Sequence, residues 1–356
     1  MRNAVTDVTG VRVGHATRVG GGALTGTTAV LFPPGTLSTV DVRGGGPATR
    51  DTAALDPRYG GRVVAGVVLT GGSAYGLAAA DGAALELGSP VPAAALFDLG
   101  RGGAFHAHPT PELGVEAVRA AGVAVGEGNV GAGTGALNAG LKGGIGTASA
   151  ALGGGVVVGA IAALNAVGPS VDPATGLPMA AWTGWPGEFP EAGGDDLGAP
   201  PRPFRDPPAG PPATPLRDPS GKPFDGPAGD PFSAGGPFDG PGGGQFNTVI
   251  GVVVTNARVP RLFAVANAAH DGLALAVRPA HGMYDGDAVF AASTGTHEAP
   301  VEAVLDAATR VFARALVHGL LAAESVTTPR GHLTAYRDRY PRTAAHYRKP
   351  LAPPGD

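Results

Sequence analysis

The sequence predicts a layered α/β sandwich. β-branched and apolar runs alternate with Ala-rich segments of helical length, and two late helical segments are long and apolar enough to cover a sheet. Residues 63–70 read as a buried strand, closed by Gly71-Gly72, and residues 74–87 as an Ala-rich helix. Residues 91–98 form the next expected strand, 111–121 a helix, and 122–126 a return to extended chain. Residues 156–165 make a strong apolar strand. Residues 248–255 are β-branched almost throughout, which suits a central strand. A helix over 258–276, a strand over 289–294 and a long amphipathic helix over 300–323 complete the pattern.

These elements fall into two zones, 1–183 and 246–330, expected to form one domain. Between them, residues 184–245 are rich in Pro, Gly and Asp and repeat the pattern Pro-Phe-Asp-Gly-Pro at 223–227 and 237–241. Proline blocks helix interiors and central strands, so this stretch is expected to be a disordered linker. Residues 331–356 read as a polar C-terminal tail.

Composition narrows the function. Apolar residues make up 43% of the 356, enough for a sizeable core, while charged residues are only 15% and the net charge is −4. With no Lys/Arg run to track phosphates, a nucleic-acid partner is not expected. No apolar run reaches the roughly eighteen residues of a membrane span, and residues 1–10 lack the apolar core of a signal peptide. The expected location is therefore the cytoplasm. The chain has no cysteine, so neither disulfides nor Cys-based zinc or redox sites are available.

Several motifs fail on inspection. Gly71-Gly72-Ser73-Ala74-Tyr75 follows a strand and precedes a helix like a nucleophile elbow, but Tyr75 stands where glycine is required. Residues 131–136 fit the dinucleotide fingerprint formally, yet no acidic residue follows at about twenty positions, so a tight turn is the better reading. Lys142 lies among glycines without a phosphate-loop pattern. His106 and His108 have no third ligand at a usable spacing. No cofactor or metal is expected.

Asn247-Thr248 sits where the linker meets a strand. Gly242-Gly243-Gly244 upstream lets the backbone bend, and the stiff run over 249–254 downstream fixes Thr248. If the bond between Asn247 and Thr248 is cut, Thr248 gains a free α-amine. Such an amine titrates at about 7.7–8.0 and can act as base for its own hydroxyl.

The chain resembles the family of L-aminopeptidase/D-esterases, which also holds β-aminopeptidases and nylon-oligomer endohydrolases. The matching segments run in order: TDVTGVRVGH at 6–15, DVRGG at 41–45, LTGGSAYGL at 69–77, GAGTG at 131–135 running into LKGG at 141–144, Asn247-Thr248 with its strand, AHDGLA at 269–274 and DGDAVF at 285–290. The linker and the chain beyond about residue 329 are not covered.

The resemblance implies a four-layer α-β-β-α sandwich of the N-terminal-nucleophile type, cut into two fragments that stay folded together as a homotetramer of cleaved heterodimers. It implies that Thr248 is the nucleophile, with Asn247 at the scissile bond. Lys142 matches a lysine beside the nucleophile, Asn165 an amide donor for the oxyanion, and Asp285 and Asp287 two polar positions hydrogen-bonded around the nucleophile. Their Asp-Gly-Asp form is nearer the nylon-oligomer branch. Some relatives place an oxyanion-assisting tyrosine where this chain has Phe97, which lacks the hydroxyl. The implied substrate is a small amide or peptide with a free amino end. Two rival readings are an ornithine acetyltransferase-like transferase, whose motifs around the cleaved bond are not matched, and a non-catalytic binding protein of the same fold.

Overall fold

The computed structural model describes residues 1–59, 61–190, 247–345 and 347–351. The greater part of the expected linker, from residue 191 on, lies outside the described residues, as do Phe224, Phe232 and Phe238 within it.

Eleven of the thirteen strands that concern the site form two stacked sheets. The first contains β1 (Arg12–Gly20), β2 (Ala23–Leu31), β4 (Ala48–Arg50), β6 (Gly66–Thr70) and β7 (Ala93–Ala95), in the order β1-β2-β6-β7-β4. The second contains β3 (Leu37–Val42), β5 (Arg62–Val63), β10 (Ile145–Ala151), β11 (Val157–Ala163), β12 (Ile250–Ala257) and β13 (Ala288–His297), in the order β10-β11-β12-β13-β3-β5. Between them in sequence lies a small hairpin of β8 (Leu137–Asn138) and β9 (Leu141–Lys142). The helices are α1 (Ser73–Gly76), α2 (Ala79–Leu87), α3 (Pro111–Arg119), α4 (Phe263–Ala276) and α5 (Val301–Ala322).

Three apolar cores separate four layers. Val30, Val67, Leu69, Ile161, Ile250, Val252 and Phe290 fill the space between the sheets. Val68, Ala83, Leu113 and Ala117 pack α2 and α3 on the first sheet. Val253, Val265, Leu273, Phe312 and Leu316 pack α4 and α5 on the second. β12 is apolar without alternation because it is covered on both faces, by the opposite sheet and by a helix layer. It sits between β11 and β13, so the two ordered zones of the sequence interleave in one sheet.

Some local expectations are corrected. The helix expected over 74–87 is broken into α1 and α2, and the strand expected over 91–98 keeps pairing only over Ala93–Ala95. β2 and β10 carry too many Thr, Ala and Gly to stand out as strands, and β3 is short and interrupted by Ser38 and Asp41; both faces of β2 are nevertheless buried. At the start of the expected linker, Glu188 and Phe189 are buried. In the expected tail, Tyr336 and Tyr340 pack into the core of α4 and α5, and the Tyr336 hydroxyl donates to the Gly176 carbonyl at 2.7 Å. Aromatic side chains thus hold down a segment whose average composition is polar.

Candidate active site

Strand register assembles the site. β12 runs parallel to β13 with Ile250 opposite Ala288. Continuing that pairing back along both chains sets Asn247 opposite Asp285, where a bridge forms, and brings Gly286 and Asp287 alongside Thr248 and Val249. β11 runs antiparallel to β12 with Ala163 opposite Ile250. Two residues further on, Asn165 faces Thr248, whose N–H donates to the Asn165 carbonyl at 2.6 Å. Asn165 and the Asp-Gly-Asp turn therefore reach Thr248 from its two neighbouring strands.

The Thr248 hydroxyl donates to the carbonyl oxygen of Asn247 at 2.6 Å. The Gly286 N–H points at the same hydroxyl oxygen from 3.2 Å. Gly286 has to be glycine: a Cβ there would lie 2.3 Å from the Gly46 carbonyl oxygen and from Pro47. Neither aspartate bonds Thr248 directly. Asp287 accepts from Val249 N–H at 2.8 Å and from the His281 ring at 2.7 Å, while Asp285 accepts from Val167 N–H and Gly282 N–H, each at 3.3 Å. Burial, reinforced by the charge of Asp287, raises the Asp285 carboxyl to about 6.

Asn165 is held by its side-chain oxygen, which accepts from Leu137 N–H at 2.9 Å and from Arg101 at 2.7 Å. Those two donors fix the amide orientation and leave its Nδ2 buried without a partner. The Asn247 Nδ2 is likewise buried and unpartnered. Buried amide donors normally find an acceptor, so a pair left open beside a carbonyl is a feature of reactive sites. Thr248, Asn247, Asn165, Lys142, Asp285 and Asp287 are at most 4% exposed, which keeps bulk water from the hydroxyl.

Lys142 lies on β9 with its side chain buried. Its ammonium donates to the Gly133 and Gly143 carbonyls at 2.9 and 2.6 Å, not to Thr248. Burial, then the Arg101 charge, lowers it to about 7 against the opposing pull of Asp98. The backbone of the expected tail fixes this lysine, since Lys142 N–H donates to Thr334 O at 2.8 Å.

Arg101 was not singled out by the sequence reading. Its guanidinium donates to Asn165 and to the Gly135 carbonyl at 2.7 Å each, and to the Asn247 side-chain oxygen at 2.8 Å. It follows Phe97 by four positions in a loop, with no spacing to mark it; Phe97 itself brings no hydroxyl. Asp98, also unmarked, is fully buried and raised to about 6 by that burial, against the charges of Arg101 and Lys142 and a hydrogen bond from Gly72 N–H at 2.7 Å.

The two failed motifs acquire roles here. A Cβ on Gly71 would lie 2.1 Å from Asp98, so the Gly71-Gly72 turn admits that carboxylate rather than presenting Ser73. The loop over 131–135 turns the carbonyls of Gly133 and Gly135 toward Lys142 and Arg101, an arrangement for cations rather than for a phosphate.

Comparison with known proteins agrees with this architecture. The chain matches Peptidase family S58 over residues 3–334. It is 41% identical over 375 residues to an uncharacterized aminopeptidase of Mycobacterium tuberculosis, covering 95% of this chain and 98% of that protein. A corresponding aminopeptidase of Mycobacterium leprae is 40% identical, with 91% of each chain covered. Among solved structures, a β-aminopeptidase of a Burkholderia species superposes with a TM-score of 0.66 at 22% identity, covering 97% of this chain and 93% of its own. The L-aminopeptidase D-Ala-esterase/amidase of Ochrobactrum anthropi, described as a variant of the N-terminal-nucleophile hydrolase fold, gives 0.65 at 21% identity, with 98% and 95% covered. The chain belongs to peptidase family S58.

Proposed function

We propose that this peptidase cuts its own chain between Asn247 and Thr248, and that the freed Thr248 hydrolyses small amides or peptides carrying a free amino end. The observation that carries the reading is the buried Thr248 hydroxyl, 2.6 Å from the carbonyl oxygen of the residue before it. In self-cleavage the hydroxyl oxygen attacks the Asn247 carbonyl carbon, the bond to Thr248 N breaks, and an ester links Asn247 to Thr248 Oγ. Water then hydrolyses the ester, leaving an Asn247 carboxylate and a free Thr248 amine.

In the mature enzyme that amine takes the hydroxyl proton and passes it to the leaving amine of the substrate. The acyl group stays on Thr248 Oγ until water releases it. Asn165 Nδ2 is the open donor for the developing oxyanion, and its position, set by Arg101 and Leu137 N–H, costs no reorganisation during reaction. Lys142 and Arg101 supply positive charge that favours the unprotonated amine.

A substrate acyl residue takes the place that Asn247 vacates. Its amino group then lies where Asn247 N–H donates to the Tyr284 carbonyl at 3.3 Å, beside Asp285. A carboxylate and a carbonyl there favour an ammonium, which supports amino-terminated substrates. The relatives named above are aminopeptidases, in keeping with this; the Asp-Gly-Asp turn adds 6-aminohexanoate oligomers to the candidates. A cytoplasmic homotetramer of cleaved heterodimers accompanies the proposal and is read by light scattering.

The test is a panel of aminoacyl p-nitroanilides, dipeptides and nylon-6 oligomers, with N-acetylornithine plus glutamate alongside, on protein whose smaller fragment begins Thr-Val-Ile-Gly. Hydrolysis by cut protein that is absent from Thr248→Ala supports the proposal. Full activity of an uncut chain overturns it, acetyl transfer without hydrolysis makes the protein a transferase, and no turnover by cut protein leaves a binding protein.

A further inference from the structure

One group of titratable side chains outside the residues named by resemblance reaches the nucleophile through Asp287. His281 lies in the loop that leads into β13. Both its ring Nδ1, at 2.7 Å, and its backbone N–H, at 3.2 Å, meet the same oxygen of Asp287. The other oxygen of that carboxylate accepts from Val249 N–H at 2.8 Å, the residue directly after Thr248. Two donors from one residue thus pin one end of a fully buried carboxylate, and the other end pins the chain at the nucleophile. A carboxylate with three donors has one orientation; without the ring, the end away from Val249 is held only by the 3.2 Å backbone bond and is more loosely placed.

The backbone supports this reading. His281 has φ 58, in the left-handed region that side chains rarely adopt. That conformation is what lets the ring and the N–H of one residue converge on one oxygen. Behind it, the His270 ring packs edge-on against His281 with centroids 4.9 Å apart. His270 is anchored to the Asp41 carbonyl at 3.1 Å and lowered by burial to about 4, so it backs His281 as a neutral ring. Asp41, Arg43, Asp285 and Asp287 are the charged groups around the histidine pair.

We propose that His281 is a positioning residue for the reaction at Thr248: by clamping Asp287 it fixes Val249 N–H and hence the direction of the Thr248 hydroxyl. The inference rests on the Thr248 reading above. It places a proton on His281 Nδ1, because the facing carboxylate oxygen accepts only.

The test uses three variants of the full chain: His281→Asn, His281→Gln and His281→Ala. Asparagine puts an N–H donor near the Nδ1 position and tolerates the left-handed backbone; glutamine puts its donor near Nε2. Self-cleavage is followed by gel, kcat and KM on an aminoacyl p-nitroanilide, and folding by thermal melting. The expected result is that His281→Ala and His281→Gln lose about 10- to 100-fold in kcat with KM within about twofold, and cut themselves more slowly. His281→Asn recovers most of both rates. A lowered melting temperature with unchanged kcat, or equal rates for the Asn and Gln variants, overturns the proposal. If Thr248→Ala is itself active, the reading beneath it fails; if Thr248→Ala is inactive while His281→Ala turns over normally, only His281 is removed.

Discussion

Glu188 is the side chain whose loss this structure makes most consequential for stability. Although it opens a stretch of Pro/Gly-rich sequence, its carboxylate is completely buried and accepts from Arg314 Nε and Nη2 at 2.8 Å each, and it bonds His318 at 2.9 Å and Asn3 at 2.9 Å. The Arg314 guanidinium lies 3.8 Å from the centre of the Trp185 ring. Burial alone would raise the carboxyl; the hydrogen bonds from His318 and Arg314 overcome it and hold the group at about 2. Glu188→Gln leaves Arg314 as an uncompensated buried cation, an event that costs about 3–5 kcal/mol. For a body of roughly 300 folded residues, with an unfolding entropy of about 0.6 kcal/mol/K, that is a fall in melting temperature of about 5–8 °C. Removing both charges with Glu188→Leu and Arg314→Met should cost less than Glu188→Gln alone, because no charge is stranded. Because the folded pKa of Glu188 is depressed, its contribution is present above the ordinary carboxylate range and is lost as pH falls from about 4.5 toward 2. Thermal melts of the variants at pH 7.5, and of wild type and Glu188→Gln from pH 7.5 downward, measure this. A Glu188→Gln variant that melts with wild type at pH 7.5 would refute the argument.

Thr248→Ala should remain a single chain on a denaturing gel, whereas wild type should give two fragments divided after Asn247. Asn165→Ala should lose about 10²–10³-fold in kcat, the usual cost of one oxyanion donor; an unchanged kcat removes Asn165 from that role. His15 and His270 are each lowered to about 4 by burial, so both are neutral when folded and protonate on unfolding. Because Asp98 and Asp285, raised to about 6, pull stability the other way over the same range, the histidine contribution is read as a difference: the melting temperature of His15→Gln should gain on that of wild type as pH falls from 6.5 to 4. Deleting residues 192–236 should leave melting temperature and self-cleavage unchanged, provided Glu188 and Phe189 are kept; a large loss shows that the segment packs.

The sequence made some of this legible and hid the rest for definable reasons. The layered α/β class follows from apolar patterning, because β12 is apolar along most of its length and α4 and α5 are rich in Ala, Val and Leu; the count of four layers came through the resemblance. β2 does not stand out, since its Thr, Gly and Ala are neutral to pattern and are buried here by the layers around them. Of the site, Thr248, Asn165, Asp285 and Asp287 were found through resemblance, and the structure gathers them. Arg101 and His281 were not found, because their partners lie at sequence separations of 146 and 6 in loops, where no period links donor to acceptor.

What the sequence cannot state is register, and register is what makes this site. The apolar run over 249–254 does not itself say which residue of β13 each position faces; Gly251, where a Cβ would lie 2.6 Å from the Phe312 ring, is one of the few positions along it that mark the packing. A one-residue slip would move Gly286 off the Thr248 hydroxyl and turn the aspartates toward the opposite face. The tight turn at Gly286 against Gly46 and Pro47 resists that slip, as do the bonds from Gly46 N–H to the Asp285 carbonyl at 2.9 Å and from Arg43 N–H to the Asp287 carbonyl at 2.8 Å. β3 and the glycines that follow it therefore act as a gauge for Thr248 from the far side of β13. The physical content of the Asp-Val-Arg-Gly-Gly segment lies there: it contributes no atom to the chemistry, and it sets the line along which Thr248 meets the Asp-Gly-Asp turn.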